Sequence, residues 1–310
     1  MSNTRRQALL GSLFALGATA IWSGNFIVAR GLSEIVPPVS IAFWRWVVAV
    51  IVFLPFALKP LVAERHILLK NIRYLSLTAL LGVTVFNTLI YIAGHTTTAL
   101  NLSLIAITFP IFIVILSRIL YGELITTKKI LGIVLVTCGV VLLITKGNLS
   151  VLTNITFTVG DFWMLSASSI FAVYSILIKH KPQELSIWSF QLSTFSLGLL
   201  FLFPFFVWES ATTPPVTYSI TTILAILYIG IFASLTAFVL WNKAIITIGP
   251  AKAGLIYYTL PLFSGFLAYL FLKESIGIIH LISALMIVSG ILTANHQAKK
   301  KEPCYSQKAP

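Results

Sequence analysis

Apolar residues run along the chain in ten long blocks, broken by short stretches that carry most of its charges, glycines and prolines. The blocks are Ala8 to Ala29, Val39 to Leu58, Tyr74 to Ala93, Ala99 to Leu120, Ile130 to Ile144, Asp161 to Ile178, Ile187 to Val207, Ile223 to Trp241, Ala251 to Leu272 and Ile276 to Ala294. As helices rising roughly 1.5 Å per residue, they match the roughly 30 Å of a bilayer's hydrocarbon core. An apolar run in lipid must satisfy its own backbone hydrogen bonds, and the alternating pattern of a barrel strand is absent. The pattern therefore predicts ten transmembrane helices in an all-α integral membrane protein. Connections are short, often with Gly or Pro (Pro37-Pro38, Gly147, Pro182, Pro214-Pro215, Gly249-Pro250), and none accommodates a soluble domain.

The pattern is written twice. Pro110 is followed by Glu123 thirteen residues later and by Gly139 sixteen after that; Pro261 is followed by Glu274 and Gly290 at the same spacings. A shift of 151 residues relates the two sets, and also carries Ala93 onto Ala244, Leu104 onto Leu255, Phe112 onto Phe263 and Gly132 onto Ser283. Residues 11 to 30 match the chain from Gly160 at a shift of 149, and Ser40-Ile41 matches Ser186-Ile187 at 146. Each half thus holds five spans, residues 8–147 and 160–296, followed by a basic tail at 297–310. An odd number of spans makes the second half enter the membrane upside down, giving an inverted repeat whose substrate site is expected near the midplane between the halves.

Composition sharpens this picture. The 310 residues are 58% apolar and 9% charged, against about 25% charged in an average soluble domain. The net charge of +13 sits in short clusters between apolar runs, so nucleic-acid binding is excluded as a reading. Of the 21 Lys and Arg, 17 fall in the segments that share a side with the N-terminus, three on the other side, and Arg45 lies within a span. By the positive-inside rule both termini are expected in the cytoplasm of a bacterial-type inner membrane. Thr4-Arg5-Arg6 followed by an apolar run imitates a cleavable signal, but the run continues to Val28 and forms the first element of the repeat, so cleavage is not expected. Cys138 and Cys304 lie in different environments, and neither a disulfide nor a metal site is implied. No cofactor motif is present.

Ten spans arranged five plus five, Trp22-Ser23-x-Asn25-Phe26, Phe43-x-Arg45, and the paired Pro-to-Glu signatures together resemble the EamA family of the drug/metabolite transporter superfamily. The resemblance covers about residues 8 to 296. It implies a secondary carrier, commonly an exporter of amino acids, related metabolites or toxic compounds. Its cavity would be lined by spans 1 to 4 and 6 to 9, with spans 5 and 10 peripheral.

Arg45 is the first candidate for substrate binding, because a charge at membrane depth costs several kcal/mol and is usually kept for a cavity, counter-charge or ligand. It sits roughly 9 Å along its helix from Val39, too deep to snorkel easily; a structural arginine bonding backbone carbonyls is the alternative. Gln191 is its uncharged match in the second half. Trp22 and Asn25 share a face of span 1, offering a flat wall and an amide, with Phe171 and Tyr174 as repeat partners. Thr84, Asn87 and Tyr91 make a polar stripe on span 3, Asn101 and Thr108 another on span 4; such stripes line cavities or join helices. Trp241 and Tyr257 complete the candidate set. Pro110 and Pro261 are expected hinges, and Glu123 and Glu274 are expected to hold the turn into the next helix through backbone N–H groups. The small-residue strips of Gly132 and Gly139, and of Ser283 and Gly290, suit close internal packing, with a homodimer contact as the sharper use.

Protons are a candidate coupling ion, but every acidic residue lies near a span end or in a loop, and only Asp161 and His280 stand out as titrating candidates. Facilitated diffusion or exchange fits equally well. The chain is not expected to be an enzyme: HExxH, GxSxG, a metal-spaced Cys/His cluster and paired carboxylates at membrane depth are all missing. Charge rings or carbonyl filters of a channel are also absent. The expected partners are a small organic solute, read first as an amino acid or related metabolite, and the lipid bilayer; a lipophilic cation is the rival cargo.

Overall fold

The computed structural model describes residues 3–33, 35–97, 99–216, 218–272 and 277–295. Glu274 and the tail at 297–310 lie outside the described residues. α1 (Asn3–Ser33) and α2 (Pro38–Ala63) are continuous, Pro38 occupying the first turn of α2 where no N–H is required. The short α3 (Arg65–Lys70) leads into a third column made of α4 (Ile72–Ala79), a π-helical stretch (Leu80–Val85) and α5 (Phe86–Thr96). α6 (Ala99–Ala106) and α7 (Thr108–Tyr121) form the fourth column and α8 (Thr127–Ile144) the fifth. Beyond a 3-10 turn at Leu149–Asn154 come α9 (Val159–Lys179) and α10 (Ile187–Thr212). The eighth column is α11 (Ile220–Tyr228), a second π-helical stretch (Ile229–Thr236) and α12 (Ala237–Ile248). α13 (Pro250–Tyr257), α14 (Leu260–Leu272) and α15 (Ile278–Asn295) close the chain.

The protein is all-helical, with no strand among the described residues. Among the described residues, nine helices or helix columns are long and apolar enough to cross a membrane by themselves. The expected ninth span, Ala251 to Leu272, differs: it consists of two shorter helices, α13 and α14, either side of Tyr258-Thr259. The reason is local. Pro261 has no N–H to give the carbonyl of Tyr257, and the helix breaks at that carbonyl. The same break occurs at Ile107, between α6 and α7, where Pro110 has no N–H to give the carbonyl of Ala106. Ile107 and Tyr258 are 151 residues apart, the shift of the repeat. The two π-helical stretches also stand at corresponding places, in the third and eighth columns.

Neighbouring columns run antiparallel, so the bundle has a near face, at Asn3 and the α9–α10 turn, and a far face, at the α1–α2 turn. α1 lies along the eighth column: Gly11 meets Thr247 and Ile248, while Trp22 reaches Ala233. α8 and α15 pack mainly on each other at the edge of the bundle. A Cβ on Gly132 would strike the Gly290 carbonyl, and one on Gly139 would meet Met286 and Ser283, so both small-residue strips are occupied by this internal contact. Large apolar side chains such as Phe56, Ile119 and Leu292 point outward, as a lipid-facing surface requires.

α2 and α10 are fastened to each other at both ends. At the far face the Glu209 carboxylate, near the end of α10, accepts from the N–H groups of Val39 and Ser40 (3.0 and 2.6 Å) and from the Ser40 hydroxyl (2.8 Å). At the near face Glu64, just past α2, accepts from the N–H of Ser186, the N-cap of α10 (2.9 Å). Ser40 and Ser186 are repeat partners. A carboxylate at a helix N-terminus answers orphan donors and the positive end of the macrodipole, worth about 0.3–2 kcal/mol. Next to the second clamp, Lys181 donates to the carbonyls of Pro182 and Leu185, and burial pulls its pKa below the ordinary lysine value while Glu64 opposes the shift.

Candidate functional site

The bundle encloses a cavity in the half next to the far face. Arg45, seven residues into α2 from Pro38, and Ala106, seven into α6 from Ala99, place it roughly 10 Å below the far face. Its wall carries Trp22 and Asn25 from α1, Phe86, Asn87 and Ile90 from α5, Phe109 from α7, Met164, Ser168 and Phe171 from α9, Phe238 from α12, and Tyr257 from α13.

Arg45 is the charged member of that wall. Its Nε donates to the Ser234 hydroxyl and its Nη1 to the Tyr91 hydroxyl, both at 2.6 Å, and its guanidinium lies 5.5 and 5.7 Å from the rings of Trp46 and Tyr91. Its other terminal nitrogen makes no hydrogen bond with a described residue. Among the described residues the ion pairs belong to Glu123, and none that lines the cavity is a carboxylate. A buried cation fixed by hydroxyls but lacking an anion is a receptor for a carboxylate, phosphate or similar group. Beside it, the Asn25 side-chain oxygen is buried without a hydrogen-bond partner, an arrangement that ordinarily costs about 1–3 kcal/mol.

The π-helical stretches build this environment. Widening a helical turn frees backbone carbonyls from the ordinary ladder, and side chains collect on them. In the eighth column the Ala233 carbonyl accepts from the Trp22 indole (2.9 Å), and the Ile229 carbonyl accepts from Ser234, which in turn accepts from Arg45. In the third column Asn87 donates to the carbonyls of Gly82 and Val83 (3.1 and 3.3 Å) while lining the cavity. Thr84 leaves the polar stripe to bond the Gly198 carbonyl of α10.

The floor is aromatic. Trp22, Phe171, Phe238, Trp241 and Tyr257 interlock with ring centroids 5.4–6.2 Å apart, and Phe171 stacks on Phe86 at 4.2 Å. Beneath the floor, toward the near face, lies a second polar cluster without an opening. There Asn242 donates to Gln191 Oε1 (2.7 Å) and exchanges hydrogen bonds with the Tyr174 hydroxyl (2.9 and 3.1 Å), while Trp241 donates to Ser175 (3.2 Å).

Of the ten expected substrate contacts, then, Trp22, Asn25, Arg45, Asn87 and Tyr257 share the cavity wall, and Tyr91 touches it through Arg45. Tyr174, Gln191 and Trp241 belong to the sealed floor and the cluster below it. Asn101 lies at the far end of α6, donating to Asp161 (3.0 Å) and the Thr156 carbonyl (3.1 Å). Asp161 also accepts from Thr97 (2.5 Å) and from the Thr158 N–H (2.7 Å), so this candidate titrating group is held at the start of α9. Glu123 contacts the ammonium groups of Lys129 (3.6 Å) and Lys179 (4.0 Å), whereas the first turn of α8 is capped by Thr126 rather than by Glu123 as expected. Ser234, Phe109 and Phe238 were not singled out from sequence; Ser234 becomes visible only through the π-helical turn that aims it at Arg45.

The profile of the EamA-like transporter family matches residues 9–145 and again 158–295. An uncharacterized transporter of Archaeoglobus fulgidus is 30% identical over 283 residues, covering 87% of this chain and 92% of the relative. The uncharacterized transporters YyaM and YetK of Bacillus subtilis are 25% and 26% identical, over 91% and 95% of this chain and 92% and 89% of their own lengths. One solved structure superimposes with a TM-score of 0.73 at 18% identity, covering 92% of this chain and 96% of that one, and so shares the fold.

Proposed function

Because the chain belongs to the EamA-like transporter family and is a membrane transporter, we propose that it is an alternating-access carrier of small carboxylate-bearing solutes, amino acids foremost. The observation that carries this reading is the Arg45 guanidinium, held by Ser234 and Tyr91, without a carboxylate among the described residues to answer it, in a cavity walled largely by aromatic rings. A carboxylate bound there would complete the charge pair. The Asn25 oxygen stands ready to accept from an ammonium or hydroxyl group, and the rings of Trp22, Phe109, Phe171 and Tyr257 would receive an apolar side chain.

The position of the cavity, in the half next to the far face and above the aromatic floor, supports reading this as a state that gives access from the far face. The Lys and Arg distribution supports a cytoplasmic near face, which makes this the outward-facing state. Export is the direction the family resemblance favours. Facilitated exchange is the simplest coupling mode, since the described residues of the cavity wall include no carboxylate to carry a proton across. The helix breaks at Ile107 and Tyr258, each placed by a proline, are where the halves would bend.

Counterflow in proteoliposomes tests this. Vesicles loaded with unlabelled amino acids should accumulate labelled ones through the unmodified protein. Accumulation of lipophilic cations, without accumulation of amino acids, would overturn the carboxylate reading.

A further inference from the structure

The two polar clusters are built on the same plan. The repeat carries Asn25 onto Tyr174, Arg45 onto Gln191 and Tyr91 onto Asn242. In each half the second and third of these residues are joined directly, Arg45 to Tyr91 at 2.6 Å and Asn242 to Gln191 at 2.7 Å. In each half the residue on the third or eighth column follows a π-helical stretch. The far cluster borders the cavity. The near cluster is fully buried, and Gln191 Nε2, the counterpart of the guanidinium nitrogens of Arg45, donates to nothing.

A buried amide donor without an acceptor is costly, about 1–3 kcal/mol, and the packing around Gln191 offers no compensation in this state. We infer that Gln191, Asn242 and Tyr174 form a second substrate subsite, exposed when the near face opens, in which Gln191 Nε2 donates to the carboxylate that Arg45 holds on the far side. The inference rests on the carrier reading above. Its chemistry differs from that of the far site in one respect: the carboxylate meets an amide instead of a guanidinium. The near subsite therefore binds the same solute less tightly, because hydrogen bonds to a carboxylate from a neutral donor lack the charge pairing of a guanidinium. A solute arriving from the near face would first meet neutral donors and would then come to the fixed positive charge as the floor rearranges.

The test uses two readouts on the full-length protein in oriented proteoliposomes. The first is thiol labelling of Gln191→Cys, and separately of Asn242→Cys, in a Cys138→Ser/Cys304→Ser background with a membrane-impermeant thiosulfonate. Labelling is expected from the near face only. The second compares KM for amino-acid counterflow from each face in Gln191→Leu, which should rise about tenfold from the near face, the loss of one hydrogen bond to a charged group, and change less than twofold from the far face. Absence of labelling from the near face for both cysteine variants, in protein that elutes as a folded monodisperse species, would overturn the subsite. So would near-face labelling with KM unchanged in Gln191→Leu. Near-face labelling in a protein that carries no amino acid would remove the cargo reading while supporting the alternately exposed cluster.

Discussion

Arg45 with Tyr91 and Gln191 with Asn242 occupy matching places in the two halves, yet Arg45 lines the cavity whereas the second pair is walled off beneath five interlocked rings. The fold does not distinguish them, since an inverted repeat offers both halves the same scaffold. Two things do. One is conformational state, because a single arrangement of the bundle can open only one face. The other is charge: the first half keeps a cation that must be solvated or paired, whereas the second has an amide that tolerates dry burial at lower cost. A symmetric scaffold thus carries an asymmetric pair of sites, and perturbing each side separately shows how far the asymmetry matters.

The largest effect is expected from Arg45→Gln, which makes the far cluster resemble the near one. Losing one member of a buried charge pair costs about 2–5 kcal/mol, so carboxylate transport should fall thirtyfold or more, with the melting temperature in detergent nearly unchanged. Gly82→Ala strikes the other side. A Cβ at that position would meet the Tyr174 ring, and overpacking of this kind costs about 1–3 kcal/mol. Thermal melting should register the loss, while the solute affinity of the far cluster is retained.

The end clamps offer a smaller contrast. Glu209 makes three hydrogen bonds to the start of α2 and Glu64 one to the start of α10. Glu209→Gln is expected to lower stability by about 1–2 kcal/mol, and Glu64→Gln by about half as much or less, in paired denaturation measurements. Smallest in stability terms are Pro110→Ala and Pro261→Ala. Each restores a backbone donor and straightens a helix break, so turnover in single-turnover counterflow should slow severalfold while melting stays close to the unmodified protein.

Much of this contrast was legible in the sequence, and the reasons are chemical. Arg45 stands out because a charge in an apolar run is conspicuous, and Pro110 and Pro261 announce helix breaks because proline's missing N–H acts locally. The doubled spacing between Pro and Glu exposes the repeat without any structure. What escaped depends on distant partners or on backbone geometry. Asn101 looked like a cavity residue because its acceptor, Asp161, is supplied by α9, sixty residues on. Glu209 lay at a span end and resembled an ordinary boundary charge; its role depends on α2, about 170 residues earlier. The π-helical stretches carry no residue signature, yet they aim Ser234 at Arg45 and offer the Ala233 carbonyl to Trp22. Tyr174, Gln191 and Trp241 were expected in the same cavity as Arg45, because sequence lists the residues of both faces without saying which face is open.

The most direct test of Arg45 as the carboxylate contact compares an amino acid with its amide as competitors of counterflow, in the unmodified protein and in Arg45→Gln. The unmodified protein should prefer the carboxylate by thirtyfold or more, and the variant should lose most of that preference. Equal discrimination by the two proteins would show that Arg45 only braces the helices around it, and that the cavity reads some other part of its cargo.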